Sequence, residues 1–284
     1  MNIAAAPGPG LVTLCVVLVA ASAAVYRFAQ LGPVRVVPAA ATRAILQLGM
    51  VAAVLGAALT RLWSSFLVLA VMFAAAVHTA GRRASAGRSG VWLAVALATG
   101  WIVVLAMMIG TGVVPMKGVA IVPVGGIVLG GAMTATSLAA RRALDVVRDR
   151  FGEVEAALSV GLSERDARLE VIRPTAADAL LPGVDQTRTV GLVTLPGAFV
   201  GVLVASGSAV QAAAVQVLVL FGLLLTQSCA VAITVELVAR GRVHRDRGSP
   251  GAPDPRSGRR RSSREVSTAR AVTRGIRRRP AGGD

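Results

Sequence analysis

The chain has few of the residues from which enzymes and metal sites are usually built. Its 284 residues include two cysteines, two histidines and one lysine, and 14 acidic residues stand against 30 basic ones. Cys15 and Cys229 lie far apart in apolar runs, so we interpret them as buried apolar residues rather than as a disulfide or metal pair. His78 and His244 are isolated from any zinc-binding motif. No nucleophile–base pair stands out, and we expect no enzyme on this chain.

A phosphate-binding loop is also missing. The sequence contains no GxxxxGK[ST] motif, and its single lysine, Lys117, falls in a predicted turn between apolar runs. The chain therefore does not cradle the phosphates of a nucleotide by itself. We expect no cofactor on this chain, and any ATP that drives its activity has to be hydrolysed by a partner subunit.

Long apolar runs dominate what is present. Hydrophobic residues make up 55% of the chain. Runs of about 18 or more apolar residues are candidate transmembrane helices, because roughly 20 residues at 1.5 Å each cross a ~30 Å hydrocarbon core. Seven runs qualify: 11–26, 38–60, 63–79, 91–110, 119–140, 189–206 and about 212–238. The sequence predicts an all-α, multi-pass protein of the cell membrane with about seven transmembrane helices.

The distribution of positive charge favours one orientation. The first basic residue, Arg27, follows the first run, so we expect an uncleaved span rather than a signal peptide. Basic residues are concentrated in alternate loops, and only Arg61 and Lys117 fall in the loops on the other side. The positive-inside rule then predicts an N-terminus outside and a C-terminus in the cytoplasm. Residues 1–240 form the predicted transmembrane domain.

Residues 241–284 differ from the rest of the chain. They are rich in Arg, Ser, Gly and Pro and show no apolar periodicity, so we expect a disordered, basic, cytoplasmic tail. Such a tail attracts anionic lipid headgroups, at about 1 kcal/mol per arginine near the surface. The alternative is a topological retention signal with no other role. We do not expect nucleic acid as a partner.

One charged segment, EAALSVGLSERDARLEVIRP at residues 155–174, interrupts the apolar sequence. Its apolar residues recur at helical spacing, which indicates two short amphipathic helices. The break falls at Gly161 and Leu162, and Ser163 is the expected N-cap of the second helix. A solvated loop without further function is the alternative interpretation. The wider cytoplasmic segment that contains it covers residues 141–188.

The same segment resembles the EAA loop of ATP-binding-cassette (ABC) permeases. Glu155, Ala156, Ala157, Gly161 and Pro174 fall at the spacing of that loop. In that family the loop is the coupling element that sits in a groove on the ATPase subunit. The resemblance therefore implies that these five residues couple the chain to a cytoplasmic ATPase.

A wider resemblance covers most of residues 38–240. The chain is similar to the bacterial iron-export ABC permeases, which are related to plant aluminium-sensitivity permeases. The motifs that carry it are RAILQL at 43–48, VPVGG at 122–126, GGAM at 130–133, LPGVD at 181–185 and TVGLVTLPG at 189–197. Gly131 departs from the family pattern, which has Asn there. The resemblance implies a permease, paired as a homodimer, that exports a metal cation such as iron.

Polar residues within or beside the spans are candidates for a translocation path, because ionisable groups inside a membrane are usually functional. The candidates are Arg43, Gln47, Thr134, Asp185 and Gln216. Thr136 and Ser137 also offer oxygen atoms, whereas Arg43 can instead extend to the interface. The metal ligands stay unassigned. An ABC permease for another small solute, or a membrane scaffold without transport, are the alternative functions.

Overall fold

The computed structural model describes residues 8–58 and 61–245. The predicted tail beyond residue 245 lies outside the described residues. Within them the secondary structure is almost entirely helical, and the single β-bridge joins Val190 to Thr194. The helices are α1 (Pro9–Phe28), α2 (Val36–Ala58), α3 (Leu62–Arg83), α4 (Leu93–Gly110), α5 (Gly118–Asp149), α6 (Phe151–Ser159), α7 (Glu164–Ala176), α8 (Leu181–Thr189), α9 (Gly197–Ser206) and α10 (Ala209–Ala239).

Six of the described helices are long and apolar enough to cross a membrane: α1, α2, α3, α4 with its preceding 3₁₀ turn, α5 and α10. The prediction of an all-α, multi-pass membrane protein is therefore confirmed. The predicted span at 189–206 differs, because its longest helical stretch is the 10 residues of α9; Thr189 already ends α8. At 1.5 Å per residue such a helix covers about half of the hydrocarbon core. The structure thus has six full-length candidates where the sequence predicts about seven.

The backbone between α8 and α9 explains this difference. Gly191 adopts φ +82°, and Pro196 is extended at the N-cap of α9. The amide of Gly191 donates to the carbonyl of Thr194 at 2.9 Å, which closes a tight turn. A left-handed glycine and a proline that lacks an amide donor both interrupt a helix. The apolar composition of this run therefore does not give one continuous span.

The chain divides into two compact units, Met1–Val68 with Pro115–Val122, and Leu69–Val114 with Pro123–Asp284. In the first unit, α1 packs against α2. The described side chains of both helices are largely exposed, and α1 has no buried residue. Apolar helices with this exposure suit a lipid environment, in which lipid covers their side chains.

In the second unit, α10 packs against α4, α7, α8 and α9. A Cβ added at Gly100 would lie 2.8 Å from the carbonyl oxygen of Thr226, so α4 and α10 approach at that glycine. The indole of Trp101 donates to the carbonyl of Gly125 at 2.9 Å and stacks on Phe73 at 5.6 Å. These contacts fix α4 between α10 and the neighbouring helices of the unit.

Of the four glycines with GxxxG spacing, Gly126 alone makes a close contact with another helix. Gly126 and Gly130, and Gly197 and Gly201, have that spacing in the sequence. A Cβ at Gly126 would meet Met72 at 2.7 Å, but one at Gly130, Gly197 or Gly201 would meet nothing within 4 Å. The spacing therefore does not identify the packed positions in this chain.

Candidate coupling site

The charged segment folds as the two predicted helices, α6 and α7. Between them Gly161 adopts φ +95°, a left-handed conformation that side chains other than glycine rarely take. Ser163 caps α7: its hydroxyl oxygen accepts from the amide of Asp166 at 3.2 Å. The predicted break and the predicted N-cap are both confirmed.

One face of this helix pair is buried. The buried residues are Val154 in α6 and Ala167, Leu169, Val171 and Ile172 in α7. They belong to the same apolar core as Val235 and Val238 of α10. Burying a Val, Leu or Ile side chain fully contributes about 1.5–3 kcal/mol. The pair is therefore packed firmly on the second unit and is not a loose loop.

An ion-pair cluster, formed by Arg165, Glu236 and Arg240, joins α7 to the end of α10. Arg165 donates to both carboxylate oxygens of Glu236, from Nε at 2.7 Å and from Nη2 at 2.9 Å. Arg240 donates to the same carboxylate at 2.6 Å. The two-point contact fixes the orientation of the Arg165 guanidinium relative to the Glu236 carboxylate as well as the distance between them. The hydrogen bond to Glu236 also raises the pKa of Arg165 above its usual range.

A second contact reinforces this junction. Arg168 donates to the carbonyl oxygen of Ala239 at 3.2 Å and to Glu164 at 2.8 Å. The carbonyl of Ala239 lies at the end of α10, where the last helical carbonyls have no partner within the helix. A cation suits that position because it also faces the negative end of the helix dipole. α7 therefore contacts α10 through charged groups as well as through the core.

The opposite face of the helix pair is open. Glu155, Ala156, Gly161 and Pro174 are exposed, and Ala157 is half-buried. Pro174 lies inside α7, two residues before its end. The predicted coupling residues therefore extend along an exposed surface of α6, the turn and α7, which we call the coupling surface.

The predicted path residues do not form one cluster within either unit. In the first unit, Arg43 and Gln47 are exposed on α2. In the second, Thr134 is exposed and donates to the carbonyl of its own helix at Gly130, and Asp185 is exposed, 3.8 Å from Arg188. Gln216 is buried in α10. Of the candidates in the second unit, Gln216 fits a path inside the helix bundle best.

The structure adds a residue that the sequence argument missed, Gln227 of α10. Its side chain is buried between α5 and α8. A Cβ at Gly183 would lie 1.9 Å from Gln227 Oε1, and a Cβ at Gly131 would lie 2.9 Å from its Nε2. The two glycines therefore make room for the amide. Gln227 lies about three helical turns after Gln216 on the same face of α10, a pattern that was visible in the sequence.

Buried side-chain atoms of the second unit lack a hydrogen-bond partner within the part of the chain that the structure describes. They are Thr136 Oγ1, Gln216 Oε1, Gln227 Oε1 and Arg245 Nε. An unsatisfied buried acceptor costs about 1–3 kcal/mol, so each calls for an explanation. Oxygen atoms of this kind suit a hard cation. Residues 8–58 and 61–245 contain no group of three or more His, Cys, Asp or Glu that suits a metal ion.

Comparison with known proteins decides the family. Residues 10–242 match the family described as "Uncharacterised protein family (UPF0014)". The chain belongs to the UPF0014 family. Its relatives include UPF0014 membrane protein STAR2 of Oryza sativa subsp. japonica, 34% identical over 52% of this chain and 53% of the relative. Protein ALUMINUM SENSITIVE 3 of Arabidopsis thaliana is 29% identical over 52% and 55%. No solved structure matches.

A bacterial UPF0014 relative carries a functional name. The probable iron export permease protein FetB of Escherichia coli (strain K12) is 32% identical over 51% of this chain and 56% of its own length. The chain thus spans about half the length of the curated relatives it matches. The resemblance to iron-export and aluminium-sensitivity permeases is confirmed, and the UPF0014 chain is a membrane protein of that family.

Proposed function

We propose that this UPF0014 chain is the permease subunit of an ABC transporter that exports a metal cation such as iron from the cytoplasm. A separate cytoplasmic ATPase subunit supplies the energy, and this chain is not itself an enzyme. The observation that carries the proposal is the helix pair α6–α7. One of its faces is packed on α10, and the other is exposed and bears the residues of the EAA pattern.

The connection to α10 gives this element a mechanical role. A movement of the ATPase displaces the coupling surface. The displacement reaches α7, because the turn at Gly161 and the cap at Ser163 join the start of α7 to α6. The ion-pair cluster then transfers the displacement from Arg165 to Glu236 at the end of α10. α10 in turn carries Gln216 and Gln227, whose amide oxygens lack partners in the described chain. ATP hydrolysis would thereby act on the polar positions of the helix bundle.

The proposed metal cargo and its outward direction rest on the name of the Escherichia coli relative, a probable iron export permease. The buried amide and hydroxyl oxygens of the second unit support a small inorganic cation, because hard cations prefer oxygen ligands. We also propose a homodimer of permeases, since ABC transporters pair two permeases with two ATPases. The basic tail is proposed to bind anionic membrane lipids.

The Gly161→Glu variant tests the coupling surface. We expect it to insert in the membrane normally but to lose stimulation of the ATPase, because it places a charge and a strained residue at the exposed turn. The Gly161→Ala variant introduces the backbone strain without the charge, so it separates the two effects. Gly207→Glu is the matched control, since Gly207 is also an exposed glycine with a left-handed φ of +66°, and a Cβ there meets nothing within 4 Å. It precedes α10, at the opposite end of that helix from the ion-pair cluster and the coupling surface.

Co-purification of the ATPase and its ATP hydrolysis rate are the two measurements. Normal co-purification and normal stimulation in Gly161→Glu would show that the coupling assignment is wrong. A wild-type chain that recruits an ATPase but moves other small solutes would indicate a permease with different cargo. A chain that recruits no ATPase in any lipid would favour the membrane scaffold instead.

A further inference from the structure

A groove of about 640 Å³ lies between the end of α3 and the start of α4. Its walls are the α3 stripe from Phe73 to Arg82 and the segment from Gly87 to Ala94, which includes the 3₁₀ turn Gly87–Trp92. We call it the α3–α4 groove. It lies wholly within the second unit and is separate from the coupling surface.

The two walls of the groove share one arrangement of charge. Along α3, Phe73 and Val77 precede Arg82, so the stripe runs from apolar to cationic toward the end of the helix. On the other wall, Arg88 precedes Val91 and Ala94, so it runs from cationic to apolar. The chain reverses direction between these walls. Both arginines therefore lie at the same end of the groove, and the apolar side chains lie at the other.

Within the described residues, the two arginines of the groove are not part of any ion pair. Arg82 and Arg88 are both exposed. His78 lines the same groove one turn before Arg82. Other arginines of the second unit are paired, such as Arg245 with Asp145 at 2.5 Å. The cationic end of the groove therefore lacks a counter-charge from the described chain.

A rigid backbone contact forms the floor of the groove. A Cβ at Gly90 would lie 2.8 Å from the Cα of Gly81, so the 3₁₀ turn sits directly on α3. Ser89 donates to the carbonyl of His244 at 2.8 Å and accepts from its amide at 3.0 Å. The guanidinium of Arg242 lies 5.0 Å over the ring of Trp92. The groove is therefore held in shape and is tied to the chain that follows α10.

We propose that the α3–α4 groove binds one anionic phospholipid. Its phosphate group lies between Arg82 and Arg88, and an acyl chain runs along Phe73, Val77 and Ala94. The lipid fits because its anionic phosphate meets the cationic end of both walls while its acyl chain meets the apolar end. Basic pockets between transmembrane helices are also known to bind anionic headgroups. Through Ser89 and His244 the bound lipid stabilises the segment that follows α10. This proposal is independent of the cargo and of the ATPase.

The test measures lipid retained by the purified full chain, using native mass spectrometry with phosphatidylglycerol and phosphatidylcholine. We expect Arg82→Gln with Arg88→Gln to lower the preference for phosphatidylglycerol by about thirtyfold. Arg83→Gln is the matched control, because Arg83 is exposed at the end of α3 but does not line the groove. Arg82→Lys with Arg88→Lys keeps both charges and is expected to keep most of the preference.

A further variant tests the apolar part of the groove. Ala94→Phe fills the apolar part without changing charge, so it should lower phosphatidylglycerol retention but leave any binding of inorganic phosphate unchanged. If the Gln double variant does not remain monodisperse, the Lys double variant and Ala94→Phe decide the question. Equal loss in Arg83→Gln and the double Gln variant would overturn the site in favour of general surface charge. Unchanged phosphatidylglycerol retention in Ala94→Phe would show that no acyl chain lies in the apolar part of the groove, and it would contradict the proposal.

Discussion

Arg165→Glu is expected to disconnect α7 from α10 and to lower ATP-coupled transport by about tenfold, the usual scale of coupling between two sites. The substitution replaces the two hydrogen bonds from Arg165 to Glu236, at 2.7 and 2.9 Å, with two facing carboxylates. Neighbouring Asp166 adds a third negative charge. ATP hydrolysis should continue while transport falls, because the coupling surface itself is unchanged.

A charge exchange and a matched control make this test specific. Arg165→Glu with Glu236→Arg restores an opposite pair, so transport should recover in part, although Arg240 then lies near a second cation. Arg173→Glu places the same reversal on the exposed face of α7, where we expect no loss of thermal stability in the isolated permease. Equal transport and stability in Arg165→Glu and the wild-type chain would contradict a role for the ion-pair cluster.

Gly183→Ala is expected to destabilise the second unit by about 1–3 kcal/mol, the usual cost of overpacking. The added Cβ would lie 1.9 Å from Gln227 Oε1. The amide has little room to withdraw, because its Nε2 is close to Gly131 on the opposite side. Thermal unfolding of the purified chain in detergent measures the effect, and transport should fall with it.

The second-site variant Gln227→Ala identifies the cause. Gly183→Ala with Gln227→Ala removes the overlap, so its unfolding temperature should exceed that of Gly183→Ala alone. Gly130→Ala is the control, because a Cβ there meets nothing within 4 Å and alanine favours a helix interior by about 0.5–1 kcal/mol. If Gly183→Ala and Gly130→Ala were equally stable, the contact between Gly183 and Gln227 would not be as tight as the structure indicates.

Features set by neighbouring residues could be predicted from the sequence. The break at Gly161 and the cap at Ser163 depend on backbone preference and one short hydrogen bond, and both are present. Six of the seven predicted apolar runs correspond to helices that are long and apolar enough to cross a membrane. The length of the apolar run did not predict the structure at 189–206. An apolar run reflects hydropathy only, and it does not show the left-handed φ of Gly191 or the missing amide donor at Pro196.

Features set by tertiary packing could not be predicted in this way. Arg165 and Glu236 are 71 residues apart in sequence, and no local pattern pairs them. The space around Gln227 depends on Gly131 and Gly183 from two other helices. Residue type alone therefore could not separate the exposed Thr134 and Asp185 from the buried Gln216, and it did not select the buried Gln227.

Transport in inside-out membrane vesicles tests the central claim most directly. Vesicles that contain this chain and its ATPase should accumulate iron when ATP is supplied, and should not do so with a non-hydrolysable ATP analogue. Gly161→Glu should abolish the accumulation, and Gly207→Glu should keep it. Failure of the wild-type vesicles to accumulate iron, manganese, zinc or copper on addition of ATP would contradict the proposed metal exporter.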